Sequence, residues 1–150
     1  MKSEPNVFSI DDLSVAADQT TCWDGVRNYQ ARNSLRDQIK LGDGVLFYHS
    51  NVELIGIAGE AVVVREGYPD YTAFDPKDVH FDPRSDPKSP TWYMVDIKFV
   101  RTCRGIISLQ RLREIPALKQ MRVLQRGMRL SVQPVTSGEW RAIMMLPQWT

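Results

Sequence analysis

The sequence predicts an α+β domain in which helices flank a small, curved sheet or barrel. Three observations predict it. Short runs of strand character, at residues 45–50, 54–64 and 92–100, are separated by turns, which favours antiparallel pairing. Gly56 and Gly59 interrupt the longest of these runs, where bulges or tight bends would curve a sheet. Helix-period segments lie between and after the strands, so neither kind of element forms a block of its own.

At 150 residues the chain fits one domain, residues 1–150, with enough length to bury a core. Hydrophobic content of 43% and charged content of 25% are those of a water-soluble globular protein. No apolar run reaches the roughly 18 residues that a membrane span needs. Met1-Lys2-Ser3-Glu4-Pro5 offers no apolar signal region, and Cys22 and Cys103 form no paired motif, so a reduced, cytoplasmic protein is expected.

Taken in order, residues 5–13 read as an extended lead and one helical turn. Ser9 and Asp12 have capping-box spacing, and Ile10 and Leu13 form the apolar pair. After a polar link, Ala17 to Thr21, comes the chemically densest stretch, Trp23 to Asn33. Asp24-Gly25 marks a turn there, and Asn28 can cap a helix with Ala31, Leu35 and Ile39 at i, i+4 and i+8. Residues 45–50 (VLFYHS) and 54–64 form strands. Residues 65–90 are rich in proline and acid, yet Tyr68, Tyr71, Phe74 and Phe81 argue for an ordered excursion over the domain. In 92–100, Tyr93, Val95, Ile97 and Phe99 share one strand face. Ser108 opens a helix and Pro116 starts another near Ala117 to Met121. Arg126-Gly127 turns into a last strand, Leu130 to Pro134, and Thr136 to Glu139 is a capping box opening the final helix.

Net charge is only +1, but its distribution is uneven. Residues 97–129 hold nine Lys/Arg against Glu114 alone, which reads either as solvated faces or as a phosphate-facing surface. Asp75, Asp78, His80, Asp82 and Asp86 crowd one loop without metal-ligand spacing, so neither metal nor cofactor is expected. Cys22 and His49 could be drawn together, but no nucleophile, phosphate-cradling or deaminase motif supports catalysis. Surplus aromatics (Trp23, Tyr29, Tyr48, Tyr68, Tyr71, Trp92) beside a basic segment suit a protein that holds an unstacked base and its backbone.

Several motifs carry a family resemblance: Lys2-Ser3-Glu4-Pro5; the run Trp23 to Asn33; Phe47-Tyr48-His49-Ser50-Asn51; Gly67-Tyr68-Pro69-Asp70; Trp92 to Asp96; and Leu130 to Val135 ahead of Trp140. In this order, over nearly the whole chain, they resemble the EVE domain. The resemblance implies a PUA-like fold related to the YTH readers, a small mixed or antiparallel β-barrel of about five to six strands with flanking helices. It implies a non-enzymatic reader of a modified nucleobase, with 5-methyl- or 5-hydroxymethylcytosine in DNA as the leading ligand. The sugar stays open between DNA and RNA. An enzyme acting on a nucleotide or small molecule through Glu4, Asp24 or His49 is the competing class, and a protein adaptor a third.

The resemblance also implies roles. Trp23 takes the place of a cage wall. Ser3 and Glu4 lie beside the base, and Asp24 tests its edge, with Asn28 and Ser131 as further hydrogen-bonding groups. The segment through Ser131 and Gln133 closes the far side. The resemblance does not carry over a second cage aromatic, for which Tyr68, Tyr71 or Trp92 is taken from this sequence; Tyr48 and His49 are added to the pocket. Arg129 is suitably placed for a phosphate, and by their charge Arg27, Arg32, Arg104 and Arg126 are taken as further phosphate contacts. Relatives carry apolar residues ahead of the Lys2 motif; here the motif follows Met1, so either the first strand is truncated, with a weakened barrel seam, or the true start lies upstream.

Overall fold

The computed structural model describes residues 1–149. A five-stranded sheet forms the centre, built from β1 (Lys2–Ser3), β2 (Thr20–Cys22), β3 (Gly44–His49), β4 (Gly56–Pro69) and β5 (Tyr93–Ser108) in the order β1-β3-β4-β5-β2. β1 runs parallel to β3 and every other pairing is antiparallel. The helices are α1 (Ile10–Val15), α2 (Tyr29–Asn33), α3 (Leu109–Arg113) and α4 (Ser137–Met144). The mixed sheet with flanking helices is the expected α+β architecture.

The sheet separates two cores. β3 is buried on both faces, which is why its sequence is a continuous apolar run rather than an alternating one. Val45 and Phe47 point to one core with Leu13, Trp23, Leu35 and Val95; Leu46 and Tyr48 point to the other with Ile107, Leu112, Ile143 and Trp149. The caps fall where side-chain chemistry places them. Ser9 and Thr136 make reciprocal capping boxes with Asp12 and Glu139, and the Asn28 side chain accepts from the Gln30 and Ala31 amides. Ser108 likewise caps α3 by accepting from Arg111.

Several boundaries differ from the sequence reading. β4 runs on to Pro69 and β5 to Ser108, so the excursion begins later and the third strand is much longer than expected. Thr20 and Thr21, read as the end of a link, form with Cys22 an edge strand against Asp96, Ile97 and Lys98. α2 widens after Asn33 into a π turn over Ser34–Gln38, which leaves Ile39 outside the helix. The expected helix near Ala117 is a pair of single 3₁₀ turns, Pro116–Leu118 and Arg122–Leu124.

The segment Leu130 to Pro134 forms no strand; its link to β1 is one backbone bond, Lys2 N–H to Ser131 C=O at 2.7 Å. Pro134 has no N–H to give a ladder. Without that strand no ladder among the described residues joins the edges β1 and β2, and the expected barrel stays open along this seam.

Curvature comes from β4, whose register against β5 shifts between Ile57 and Gly59 and again further on. Gly56 lies so close to the neighbouring strand that an added Cβ would stand 2.2 Å from the Ile107 carbonyl oxygen. Gly56→Ala should therefore force the two backbones apart and destabilise by about 1–3 kcal/mol or more, read as a lower urea midpoint.

Candidate nucleic-acid interface

The open seam is a cleft of about 890 Å³. Ser3, Glu4, Trp23, Asp24, Arg27, Asn28, Arg129 and Ser131 from the sequence-predicted set line it together. Its floor is Trp23, only 8% exposed, set edge-on to Phe47 with ring centroids 5.5 Å apart. The Trp23 amide donates to the Val95 carbonyl at 2.7 Å, which extends the β2–β5 pairing and fixes the indole's backbone. Trp23 thus belongs to the core and to the cleft wall at once.

After Trp23 the chain turns at Gly25, whose φ of +70° is easy only for glycine. The turn is fixed from below by Asp70, whose side chain is fully buried. One Asp70 oxygen accepts from the Gly25 amide (2.9 Å) and from Arg27 Nη1 (2.8 Å); the other accepts from the Thr72 amide and hydroxyl. Burial alone would raise the Asp70 pKa, but the hydrogen bonds from Arg27, Thr72 and Gly25 outweigh it and hold the carboxyl below its ordinary value. Arg27 also donates to the His80 carbonyl from Nε and Nη2, so this cation ties the cleft wall to the excursion. The His80 ring packs against Gly25 and lines the cleft.

Asp24 has a different environment. Partial burial, then the neighbouring Asp70 charge, push its carboxyl above the ordinary range, and it makes no ion pair among the described residues. Burial pushes the Cys22 thiol up as well, so at neutral pH it is a thiol, 3.5 Å from the Tyr71 hydroxyl and 3.9 Å from Asp24. At the β1 side of the cleft, Ser3 Oγ donates to the Phe8 carbonyl at 2.6 Å, and a Glu4 oxygen accepts from Asn51 Nδ2.

The remaining candidates lie elsewhere. Tyr48 points into the opposite core: it follows Phe47, the residue that Trp23 touches, and successive strand side chains face opposite ways. His49 is buried with Nε2 accepting from the Ile10 amide at 3.1 Å, an arrangement that fits its burial-lowered pKa and a neutral ring. The Tyr68 hydroxyl is bound to Asp96 at 2.5 Å. Tyr71 is exposed, touching the cleft's margin through Cys22. Trp92 is buried beneath Tyr29, at 5.0 Å between centroids, and its indole N–H donates to Asp82 at 2.7 Å, pinning the excursion. Gln133 lines a second cleft of about 540 Å³ beside Trp140 instead.

The basic segment divides by pairing. Lys98, Arg101 and Arg111 bridge to Asp18, Glu60 and Glu114, whereas Arg104, Arg126 and Arg129 are exposed and make no ion pair among the described residues. Arg129 lines the cleft directly. Arg27 is bound to Asp70, and Arg32 donates to the Thr91 carbonyl with its guanidinium over the Tyr29 ring. Sequence reasoning missed His80, Val7 and Phe8 among the lining residues. His80 meets the cleft through its packing on Gly25 and the Arg27 bonds to its carbonyl from 53 residues away, for which no local signal exists.

A family model of the EVE domain matches residues 1–146. Thymocyte nuclear protein 1 of Homo sapiens is 45% identical over 165 aligned positions, taking in 99% of this chain and 72% of that protein. Among solved structures, a Pseudomonas putida protein is similar with a TM-score of 0.91 at 42% identity, over 96% of this chain and 95% of that one. Human THYN1 in complex with 5-methylcytosine-containing DNA is similar with a TM-score of 0.89 at 46% identity, over 96% of this chain and 93% of that one.

Proposed function

The chain belongs to the EVE domain family and shares its PUA-like fold, and from that premise we propose that the seam cleft reads a modified nucleobase, with 5-methylcytosine in DNA as its first ligand. The observation that carries this reading is the arrangement of the cleft. An indole held rigidly by Phe47 and the Val95 carbonyl lines a space bordered by Asp24, Ser3 and Ser131, with the unpaired Arg129 on its wall. The human relative's complex with 5-methylcytosine DNA, at 46% identity, supports the choice of ligand.

In this reading Trp23 stacks the base and Asp24, as a carboxylate, accepts from the cytosine amino group, a pairing suited to carboxylates. Stacking on an aromatic contributes about 1–3 kcal/mol, and extruding a base from a duplex costs a few kcal/mol. Cation–phosphate contacts from Arg129 and its neighbour Arg126 supply what stacking leaves short. Burying the ligand's one methyl adds about 0.8 kcal/mol, roughly fourfold, so the modification is read as a modest preference on top of general affinity. The cleft residues bind and orient; no step of bond making is assigned to them.

The test is a titration of methylated and plain cytosine oligonucleotides, DNA and RNA, at two salt concentrations. Preference for the methylated DNA supports the reading. Equal binding of methylated and plain strands overturns it, and tighter binding of the RNA transfers it to RNA. Arg126→Glu with Arg129→Glu should weaken methylated and plain strands alike and flatten the salt dependence by about one slope unit per lost phosphate contact.

A further inference from the structure

We propose that Val7 is a wedge that occupies the place left in a duplex when a base enters the cleft; this rests on the reader function proposed above. Val7 lines the mouth of the cleft and is 75% exposed, although its neighbour Phe8 packs into the core with its ring 6.5 Å from Phe47. A single exposed valine is ordinary on a protein surface. The mounting of this one is less ordinary. The Val7 and Phe8 amides both donate to the Glu4 carbonyl at 2.9 Å, closing a tight turn over Pro5 and Asn6 and fixing the Val7 backbone at its end. Both ends of the turn are fixed: the Glu4 carboxylate accepts from Asn51, and the Phe8 carbonyl accepts from Ser3 Oγ. The turn follows β1, one of the two strands that bound the seam.

Fixing an apolar, branched side chain in water at a cleft mouth contributes nothing to the fold, since Val7 is buried by no neighbour. It becomes useful when the cleft takes a base out of a stack. The vacated position is a dry slot about 3.4 Å thick, and an aliphatic side chain entering it keeps water out and hinders the base from returning. Apolar wedges act in this way between base steps. A single strand has no such slot, so the contribution of Val7 is confined to duplex DNA.

The experiment compares Val7→Ala and Val7→Leu with the unaltered chain on one methylcytosine-containing sequence, offered as duplex and as single strand. The expected result is a fall of about tenfold in the ratio of duplex to single-strand affinity for Val7→Ala, with Val7→Leu restoring most of it. A 2-aminopurine beside the methylcytosine should brighten on binding of the unaltered chain and less with Val7→Ala. If Val7→Ala weakens both substrates equally, Val7 is merely cleft wall and the wedge is wrong. If it weakens neither, Val7 makes no contact and the wedge is wrong again. Failure of the unaltered chain to prefer methylated over plain DNA in either form would instead remove the reader function itself.

Discussion

Trp23→Ala should lower stability and abolish selectivity for the modified base together, and the two losses can be separated. The indole is buried against Phe47 in the core around Leu13, Leu35 and Val95. Removing so large a side chain from a core costs about 3–5 kcal/mol, out of a total of about 5–15 kcal/mol for a whole protein. For a chain of this size, that is an unfolding midpoint lower by about 10 °C. Loss of the stacking wall removes a further ~1–3 kcal/mol from binding only. Trp23→Leu divides the two. Leucine refills most of the apolar volume, so stability should largely return, but it offers no π face, so methylcytosine binding should stay weak. Calorimetric unfolding beside an oligonucleotide titration reads both quantities. If Trp23→Leu regained full selectivity along with stability, Trp23 would be a plug for the core and nothing more.

That double position also shows what was legible in the sequence. Elements set by local chemistry were readable: the capping boxes at Ser9 and Thr136, the Asn28 cap and the apolar run of β3 all depend on residues within a few positions of each other. The β2 strand was not, because Thr20, Thr21 and Cys22 carry no apolar alternation; they are extended because Asp96 to Lys98 offer them partners. Leu130 to Pro134 failed in the opposite sense. Its apolar residues do enter the core through Val132, but the backbone finds only one bond to β1. In the site, the Trp23-Asp24 motif is continuous in sequence and could be recognised as a unit. Arg27 was read by its charge as a phosphate contact, whereas its partner Asp70, 43 positions on, engages that charge within the protein. Tyr48 could have been excluded once Phe47 was known to meet Trp23, since adjacent strand residues face opposite sides.

Asp70→Asn should be the most damaging single-atom change in the cleft's support. The substitution keeps the volume and leaves one oxygen to accept from Thr72, but it turns the other oxygen into a donor facing the Gly25 amide and Arg27 Nη1. Breaking one member of a buried ion pair costs about 3–5 kcal/mol, here discounted to its lower part because the Arg27 side chain is 23% exposed and can take up water. The pH dependence identifies the charge as the cause. Asp70 has its pKa lowered in the fold, so its ionised form contributes stability that is present above the ordinary carboxylate value and is lost as pH falls through the lowered one. The stability gap between the unaltered chain and Asp70→Asn should therefore be flat from neutral pH down to about 4 and close below it, measured by urea unfolding at a series of pH values. A gap that persisted unchanged into acid would mean that packing, not charge, is at stake. The same substitution removes the charge that helps raise Asp24, so the Asp24 carboxyl should move back toward its ordinary value. It also frees the Gly25 turn on which Trp23 and Asp24 are carried. Binding of methylcytosine DNA should fall even though Asp70 itself lines no part of the cleft. Joint loss of affinity and of acid-sensitive stability would identify Asp70 as the residue that holds the Trp23-to-Arg27 wall of the cleft rigid.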